Sequence, residues 1–337
     1  MRMGFLTNYV ANLATVAAGR QPWRPLLFSY YVTHRCDLNC TYCCDGDGKR
    51  FKEDPIAELA TDEAKQLISI LRRAADTLDI TGGEPMMRGD LEDILAHARR
   101  LGFRTILNTK GIGIEGRPDL MRLSDVLVLS LDTLDPQGLA ELIGRPKATA
   151  ERVLAALRFA VAKRHKTETK IVLSAVATPT NLSDVASVFH FAVENSLGFH
   201  LSPEIVGTKV NPQLRGNARY ENLIAEVLQS KRKMSGILGV SHYLRGIKDF
   251  SPFHCHPLLM PVIRPDGRIY YPCLESKHAE ISPLEMGSYW LALRAARERH
   301  GDVPECRDCC HIFCHMALSL FQRHPLAALG ELRHWRN

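Results

Sequence analysis

Three observations predict an α/β protein built as a partial (β/α)6 TIM-like barrel with a small Cys-rich domain after it. Short β-rich runs alternate with amphipathic helical stretches for about six units between residues 27 and 205. Repeated βαβ order implies right-handed crossovers and parallel strands. Near residue 235 the alternation gives way to short Pro-, His- and Cys-rich text. Eight units would close a full barrel, whereas six leave it laterally open.

The elements follow in chain order. Residues 1–26 form an amphipathic helix and lead-in, with Phe5, Leu6, Tyr9, Val10, Leu13 and Val16 at helical spacing. The barrel, 27–235, starts with the strand "LLFSYYVT", then a helix from Thr61 with an acidic first turn, and a strand "TLDIT" ending at Thr81. The helix "LEDILAHARRLG" closes on Gly102 and leads to strands "FRTILN" and "DVLVLSLD", the latter ending at Asp132. A helix near 149–164, strand "KIVLSAVA", helix "SDVASVFHFAVENSLG" and strand "FHLSP" complete the pattern. Residues 236–337 form the Cys-rich domain, a β-hairpin plus helices.

With 337 residues, 45% hydrophobic and 24% charged, the chain can build a large core plus a small appended domain. It has neither a membrane-span length of apolar residues nor the order of a secretory signal at its start, so the cytoplasm is the expected location. The formal charge of +6 is a mild excess, and "KRK" at 231–233 is its only dense basic run, so nucleic acid is not favoured as a partner.

Ten cysteines fall in two groups: Cys36, Cys40, Cys43 and Cys44, then Cys255, Cys273, Cys306, Cys309, Cys310 and Cys314. In a long chain without a secretory signal this points to metal ligation in place of disulfides. The CX3CX2C spacing of the first group leaves a tetrahedral metal or a four-iron cluster one ligand short, which opens a coordination site for chemistry. A structural zinc completed by His34 or Cys44, or buried inert thiols, are the bland alternatives. Three further motifs end strands on the same rim: "TGGEP" at 81–85, "NTKG" at 108–111 and "SLD" at 130–132. In such barrels functional groups gather on that face.

CX3CX2C with Tyr42 before its third cysteine, followed about forty residues later by "GGEP", resembles the radical S-adenosylmethionine (radical SAM) superfamily. The resemblance implies that Cys36, Cys40 and Cys43 hold a [4Fe-4S] cluster whose fourth iron is chelated by SAM, while Cys44 is a packing residue. Tyr42 would lie by the adenine, and Gly82, Gly83 and Glu84 would receive the methionyl amino group. Thr109, in "NTKG" where relatives often read TNG, and Ser130 match positions near the SAM carboxylate and ribose, and Arg145 one that pairs with that carboxylate. It also implies a 5′-deoxyadenosyl radical that abstracts hydrogen from substrate, and a low-potential electron donor such as flavodoxin or ferredoxin.

In the second group Cys255 and Cys273 bracket two short β runs joined at the turn "PDG", and "ECRDCCHIFCH" follows. Two ligands from a hairpin and two from CX2C suit zinc or a second cluster. The arrangement resembles the SPASM/twitch extension of radical SAM proteins, which implies one auxiliary [4Fe-4S] cluster on Cys255, Cys273, Cys306 and Cys309, with Cys310 or Cys314 able to replace a neighbour.

The leading expectation for substrate is a small or lipid-like molecule undergoing oxidation or bond formation. The alternatives are a maturase acting on a ribosomally made peptide and, from another class, a non-catalytic metal-binding scaffold. The apolar N-terminal helix and the stretch "MALSLFQRHPLAALGELRHW" are expected to cover the open barrel and the cluster domain, or to meet a membrane peripherally. Glu204 and Arg215 are weaker candidates for substrate contact, as are the His-rich spots for acid-base work. No catalytic acid or base is assigned.

Overall fold

The computed structural model describes residues 3–43, 49–234, 236–276, 278–303, 306 and 310–328. Helix α1, Met3–Ala17, precedes strand β1, Phe28–Thr33; α2, Thr61–Leu71, leads to β2, Thr77–Gly82, and α3, Leu91–Arg100, to β3, Arg104–Thr109. A single turn, α4, Asp119–Arg122, joins β3 to β4, Val126–Ser130. Two helices, α5, Pro136–Ile143, and α6, Lys147–Thr167, precede β5, Lys170–Ala177; α7, Leu182–Glu194, leads to β6, Gly198–Pro203.

Strands β1 to β6 lie side by side in chain order, each parallel to the next, as the alternation predicts. Successive residues alternate between the faces of this sheet. On β2, Leu78 and Ile80 are fully buried against α2 and α3, whereas Asp79 shares the lumen face with Ser29 of β1 and Asn108 of β3. Helix α5 escaped the periodicity reading because it is only two turns long. Its stop signals are nevertheless in the sequence: Asp135 caps it by accepting from the Gly138 N–H at 2.6 Å, and Gly144 closes it at φ +57°.

Past β6 come a short antiparallel pair, β7, Ile205–Val206, and β8, Lys209–Val210, then α8, Ala218–Lys231, and α9, Ser241–Asp249. The Cys-flanked hairpin is real but short, β9, Val262–Ile263, and β10, Ile269–Tyr270. It does not stand apart from the barrel: β9 pairs parallel to β1, so one sheet runs β10-β9-β1-β2-β3-β4-β5-β6. Helices α10, Pro283–Met286, α11, Tyr289–His300, and α12, Phe313–Arg323, follow. One hydrophobic core extends from Phe28 to Ala317 and takes residues from both sides of position 235.

Helix α1 covers the barrel at one end. The Asn8 amide donates at 2.8 Å to the carbonyls of Pro25 and Ala74, and the Phe5 N–H donates to Asp76 at 3.1 Å. These partners precede β1 and β2, so α1 crosses the N-terminal rim of the barrel, opposite the rim that carries the motifs. There Tyr9 packs on Phe321 of α12 with ring centroids 5.0 Å apart. The stretch after residue 328, with Trp335, lies outside the described residues.

Candidate active site

Four loops meet where β1, β2, β3 and β4 end. The loop after β1 presents Cys36 and Cys40 half-buried and Cys43 exposed; Cys44 lies outside the described residues. Burial pushes the Cys36 thiol up to about 11, opposed by the Leu38 N–H, which donates to its sulfur at 3.4 Å. Burial also raises Cys40, opposed chiefly by the Lys110 ammonium. His34 turns away from this loop's thiols: its Nδ1 contacts the Asp54 carbonyl at 3.0 Å, and its ring packs with Tyr31 and Phe51.

The two glycines of "TGGEP" lie directly against the cysteine loop. A Cβ on Gly82 would come within 2.2 Å of the Thr33 carbonyl oxygen, and one on Gly83 within 2.3 Å of that of Arg35. What they admit is the backbone of the cysteine loop itself. The Gly83 and Glu84 N–H groups donate to the Thr33 and Arg35 carbonyls, both at 2.8 Å. Arg88 braces the same turn from beneath. Its buried guanidinium forms a bidentate pair with Asp90 and donates to the carbonyls of Val32 and Leu59. That pair holds the Asp90 carboxyl down to about 2.

Glu84 is buried and its carboxylate already works inside the protein. It accepts from the Thr109 hydroxyl at 2.5 Å, the Lys110 N–H at 2.9 Å and the Met86 N–H at 3.0 Å. A carboxylate has about four acceptor positions, so these three donors leave one. Burial raises its pKa, and the three donors pull it back. Thr109 in turn accepts from the Gly111 N–H at 2.8 Å. The "TGGEP" and "NTKG" motifs are thus locked together.

Sequence reasoning missed the pair that joins these loops to β4. The Lys110 ammonium, buried, lies 3.3 Å from Asp132 Oδ2 and 3.5 Å from the Tyr42 hydroxyl, which donates to the same carboxylate oxygen in a short hydrogen bond. The other oxygen of Asp132 accepts from the Val176 N–H at 2.9 Å. The available signal was the charged residue within the same motifs, Asp132 two positions after Ser130 in "SLD" and Lys110 next to Thr109 in "NTKG". Ser130 sits half-buried at the end of β4. Arg145 follows the close of α5, half-buried and without an ion-pair partner among the described residues.

Below this rim lies a second buried carboxylate. Asp79 accepts from Ser29 Oγ at 3.1 Å and from the Asn108 amide in a short contact; desolvation raises it to about 6. On β6, His200 contacts Ser174 Oγ at 2.7 Å and Ser202 Oγ at 3.0 Å, and burial holds it neutral, down to about 3.

In the second group, Cys255 is buried and its N–H reaches the Cys306 carbonyl at 3.5 Å; Cys273 is half-buried, Cys306 exposed and Cys310 half-buried. Cys309 lies outside the described residues. Cys314 is the second residue of α12 and packs with Tyr31, Met260 and Tyr270, its thiol pushed up to about 12 by burial. In the His-rich spots, His256, His311 and His315 are buried. Burial lowers His256 to about 3 and His315 to about 4, and His256 Nδ1 contacts Gln21 Oε1 at 2.6 Å. Glu204 accepts from Asn211 at 2.7 Å, and the exposed Arg215 lies over the Phe250 ring at 5.0 Å.

The donor chemistry of the first loop fits an iron-sulfur cluster: three thiols on one loop, a backbone N–H aimed at the first sulfur, and a buried cation beside the second. A model of the radical SAM superfamily matches residues 30–192. Over 181 residues the chain is 32% identical to a PqqA peptide cyclase of Xanthomonas axonopodis, covering 50% of this chain and 45% of that one. Over 136 residues it is 33% identical to a probable GTP 3',8-cyclase of Methanosarcina mazei, covering 39% and 40%. The chain spans less than half the length of these two curated relatives. Among solved structures, Streptococcus suis SuiB bound to S-adenosylmethionine matches with a TM-score of 0.61 at 18% identity, over 83% of this chain and 68% of that one. SuiB bound to precursor peptide SuiA matches at 0.61 and 17%, over 83% and 67%, and anSMEcpe with bound AdoMet at 0.53 and 14%, over 90% and 98%. These three share the fold.

Proposed function

We propose that the chain, whose residues 30–192 match the radical SAM superfamily model, is a peptide-modifying radical SAM enzyme with an auxiliary cluster. The observation that carries the enzymatic reading is the rim on which Cys36, Cys40 and Cys43 meet the Glu84–Thr109 lock and the Lys110–Asp132–Tyr42 network. Bound there, a [4Fe-4S] cluster and SAM supply a 5′-deoxyadenosyl radical. The chain's own part would be to hold the cluster through the Cys36, Cys40 and Cys43 thiolates of one loop and to fix that loop's backbone against β2 through Gly82 and Gly83. Ser130 and Arg145 face the same rim's chemistry as SAM-carboxylate and ribose contacts, and Tyr42 as the adenine neighbour. Cys255, Cys273, Cys306 and Cys309 hold the auxiliary cluster.

Two relatives support a peptide over the small or lipid-like molecule expected from the sequence. One is named a PqqA peptide cyclase, and SuiB has been solved with a precursor peptide. Anaerobically reconstituted protein given SAM and dithionite is expected to release 5′-deoxyadenosine, and Cys36→Ala to release none. A short peptide encoded beside the gene is expected to lose two hydrogens by mass. If wild type and Cys36→Ala behave alike, the non-catalytic scaffold replaces this reading; if lipid extract and not peptide is consumed, the substrate class changes. A peripheral membrane contact has one supporting observation, the exposed Leu6 and Val10 one turn apart on α1. Protein that stays at the bottom in liposome flotation removes it.

A further inference from the structure

We propose that Lys110 is the charge-compensating residue of the cluster site: its ammonium, closed off from solvent between Asp132 and Tyr42, makes one-electron reduction there easier. This rests on the reading of Cys36, Cys40 and Cys43 as cluster ligands. The resemblance assigns Lys110 no role; it stands where relatives often carry the Asn of TNG, so a fixed cation replaces a neutral amide.

The geometry points to this role in three steps. First, the rim concentrates negative charge: Glu84 and Asp132 are both buried there, and three cysteines become thiolates when they bind iron. Second, Lys110 is the buried cation beside Cys40 and Tyr42, whereas the buried Arg88 guanidinium is committed to its bidentate pair with Asp90. Lys52, the other lysine against this loop, is half-buried and donates to the Leu38 carbonyl at 2.7 Å. Third, Lys110 cannot swing away. Its N–H is tied to Glu84 at 2.9 Å, and its ammonium meets Asp132 at 3.3 Å and Tyr42, which stands between Cys40 and Cys43, at 3.5 Å.

Reduction by one electron from a low-potential donor breaks no bond and lowers the charge of the site by one. That added charge is opposed by Glu84 and Asp132 and favoured by Lys110, and because these three groups are buried their Coulomb interactions are less damped by solvent and salt than those of surface charges. Net charge and hydrogen bonding around such clusters set their reduction potentials. Lys110 also balances Asp132, so removing it leaves one buried carboxylate uncompensated and adds to the effect.

The test is a potentiometric titration of the reconstituted protein, following the EPR signal that changes shape when SAM is added, which separates this cluster from an auxiliary one. Lys110→Met is expected to shift the midpoint to more negative values, leaving at least about tenfold less reduced cluster at a fixed poise near the wild-type midpoint, while Lys110→Arg stays close to wild type. Asp132→Asn removes an anion from the same place and is expected to shift it the opposite way. Opposite signs distinguish charge compensation from a structural role, and Asp132→Asn keeps the test decisive if Lys110→Met does not fold. Unmoved midpoints in variants with full iron content overturn the proposal while leaving the function intact. Absence of any SAM-responsive signal in the wild type overturns both.

Discussion

Asp79 shows what a single lumen residue does to the molecule. It lies on the face of β2 opposite Leu78 and Ile80, with Ser29 and Asn108 donating to its two oxygens, and desolvation outweighs those bonds to raise it to about 6 from the ordinary 3.8. A raised carboxyl keeps its proton in the folded chain where the unfolded chain has lost it. Its contribution to stability is therefore fully present below about pH 3.8 and is lost as pH rises through about 6. Asp79→Asn has no proton to lose. Relative to wild type its unfolding free energy is expected to gain on the order of 2–3 kcal/mol between about pH 4 and pH 7. Urea midpoints of the two proteins at several pH values check this, and a difference flat with pH would contradict it. The residues that form the rim were partly legible in advance. Cysteines and glycines announce themselves by spacing, whereas Asp79, Lys110, Arg88 and Asp132 matter through burial and through partners from 2 to 90 residues away, which no local pattern encodes. Glu84 was found by its motif, but what its carboxylate binds depends on Thr109 and Lys110 of another loop.

At the scale of elements, the barrel strands were read correctly because parallel strands buried on both faces give dense β-branched and aromatic runs that helices on this surface do not. The one-turn α4 lacks a comparable signal, α8 carries Tyr220, Leu223, Ile224 and Val227 at helical spacing behind an Asn217 cap, and α5 shows itself through its caps more than through its periodicity. The hairpin β9–β10 was legible as a hairpin, but its docking on β1 was not, since pairing partners are set by tertiary packing. Gly267 is where that docking is tuned. It holds the turn between β9 and β10 at φ +78°, and a Cβ there would lie 2.9 Å from Leu59 Cδ1, on the segment whose N–H reaches the Pro265 carbonyl at 2.9 Å. Gly267→Ala meets both the left-handed backbone penalty and that contact, together about 1–2 kcal/mol. Because the hairpin forms the sheet edge, the effect is expected to be local. In hydrogen exchange, amides of Val262, Ile263 and Ile269 are expected to lose protection while those of β3 and β4 keep theirs. Equal loss in β3 and β4 would mean that hairpin and barrel open as one unit.

For the whole molecule, the shared sheet bears on how the two cysteine groups can depend on each other. Cys255 and Cys273 flank a hairpin hydrogen-bonded to β1, and β1 delivers Cys36, Cys40 and Cys43 from its other end. Cys314 of α12 packs beside Tyr31 of β1, so the C-terminal region touches the first strand twice. Yet the supports of the first site, Glu84 with Thr109 and Lys110 with Asp132, all lie on β2, β3 and β4, away from the hairpin. Losing the auxiliary ligands should then empty one site and leave the other standing. Reconstituted wild type is expected to hold about eight irons and eight sulfides per chain, and Cys255→Ser/Cys273→Ser about four of each. That double variant is expected to keep the SAM-dependent change in the EPR signal and to release 5′-deoxyadenosine with SAM and dithionite, while failing to complete the oxidation of a peptide. If it instead loses all its iron, the hairpin is holding β1 in register for the first cysteine loop, and the two sites form one folding unit. If wild type holds about four irons and one zinc, the second group is a structural metal site.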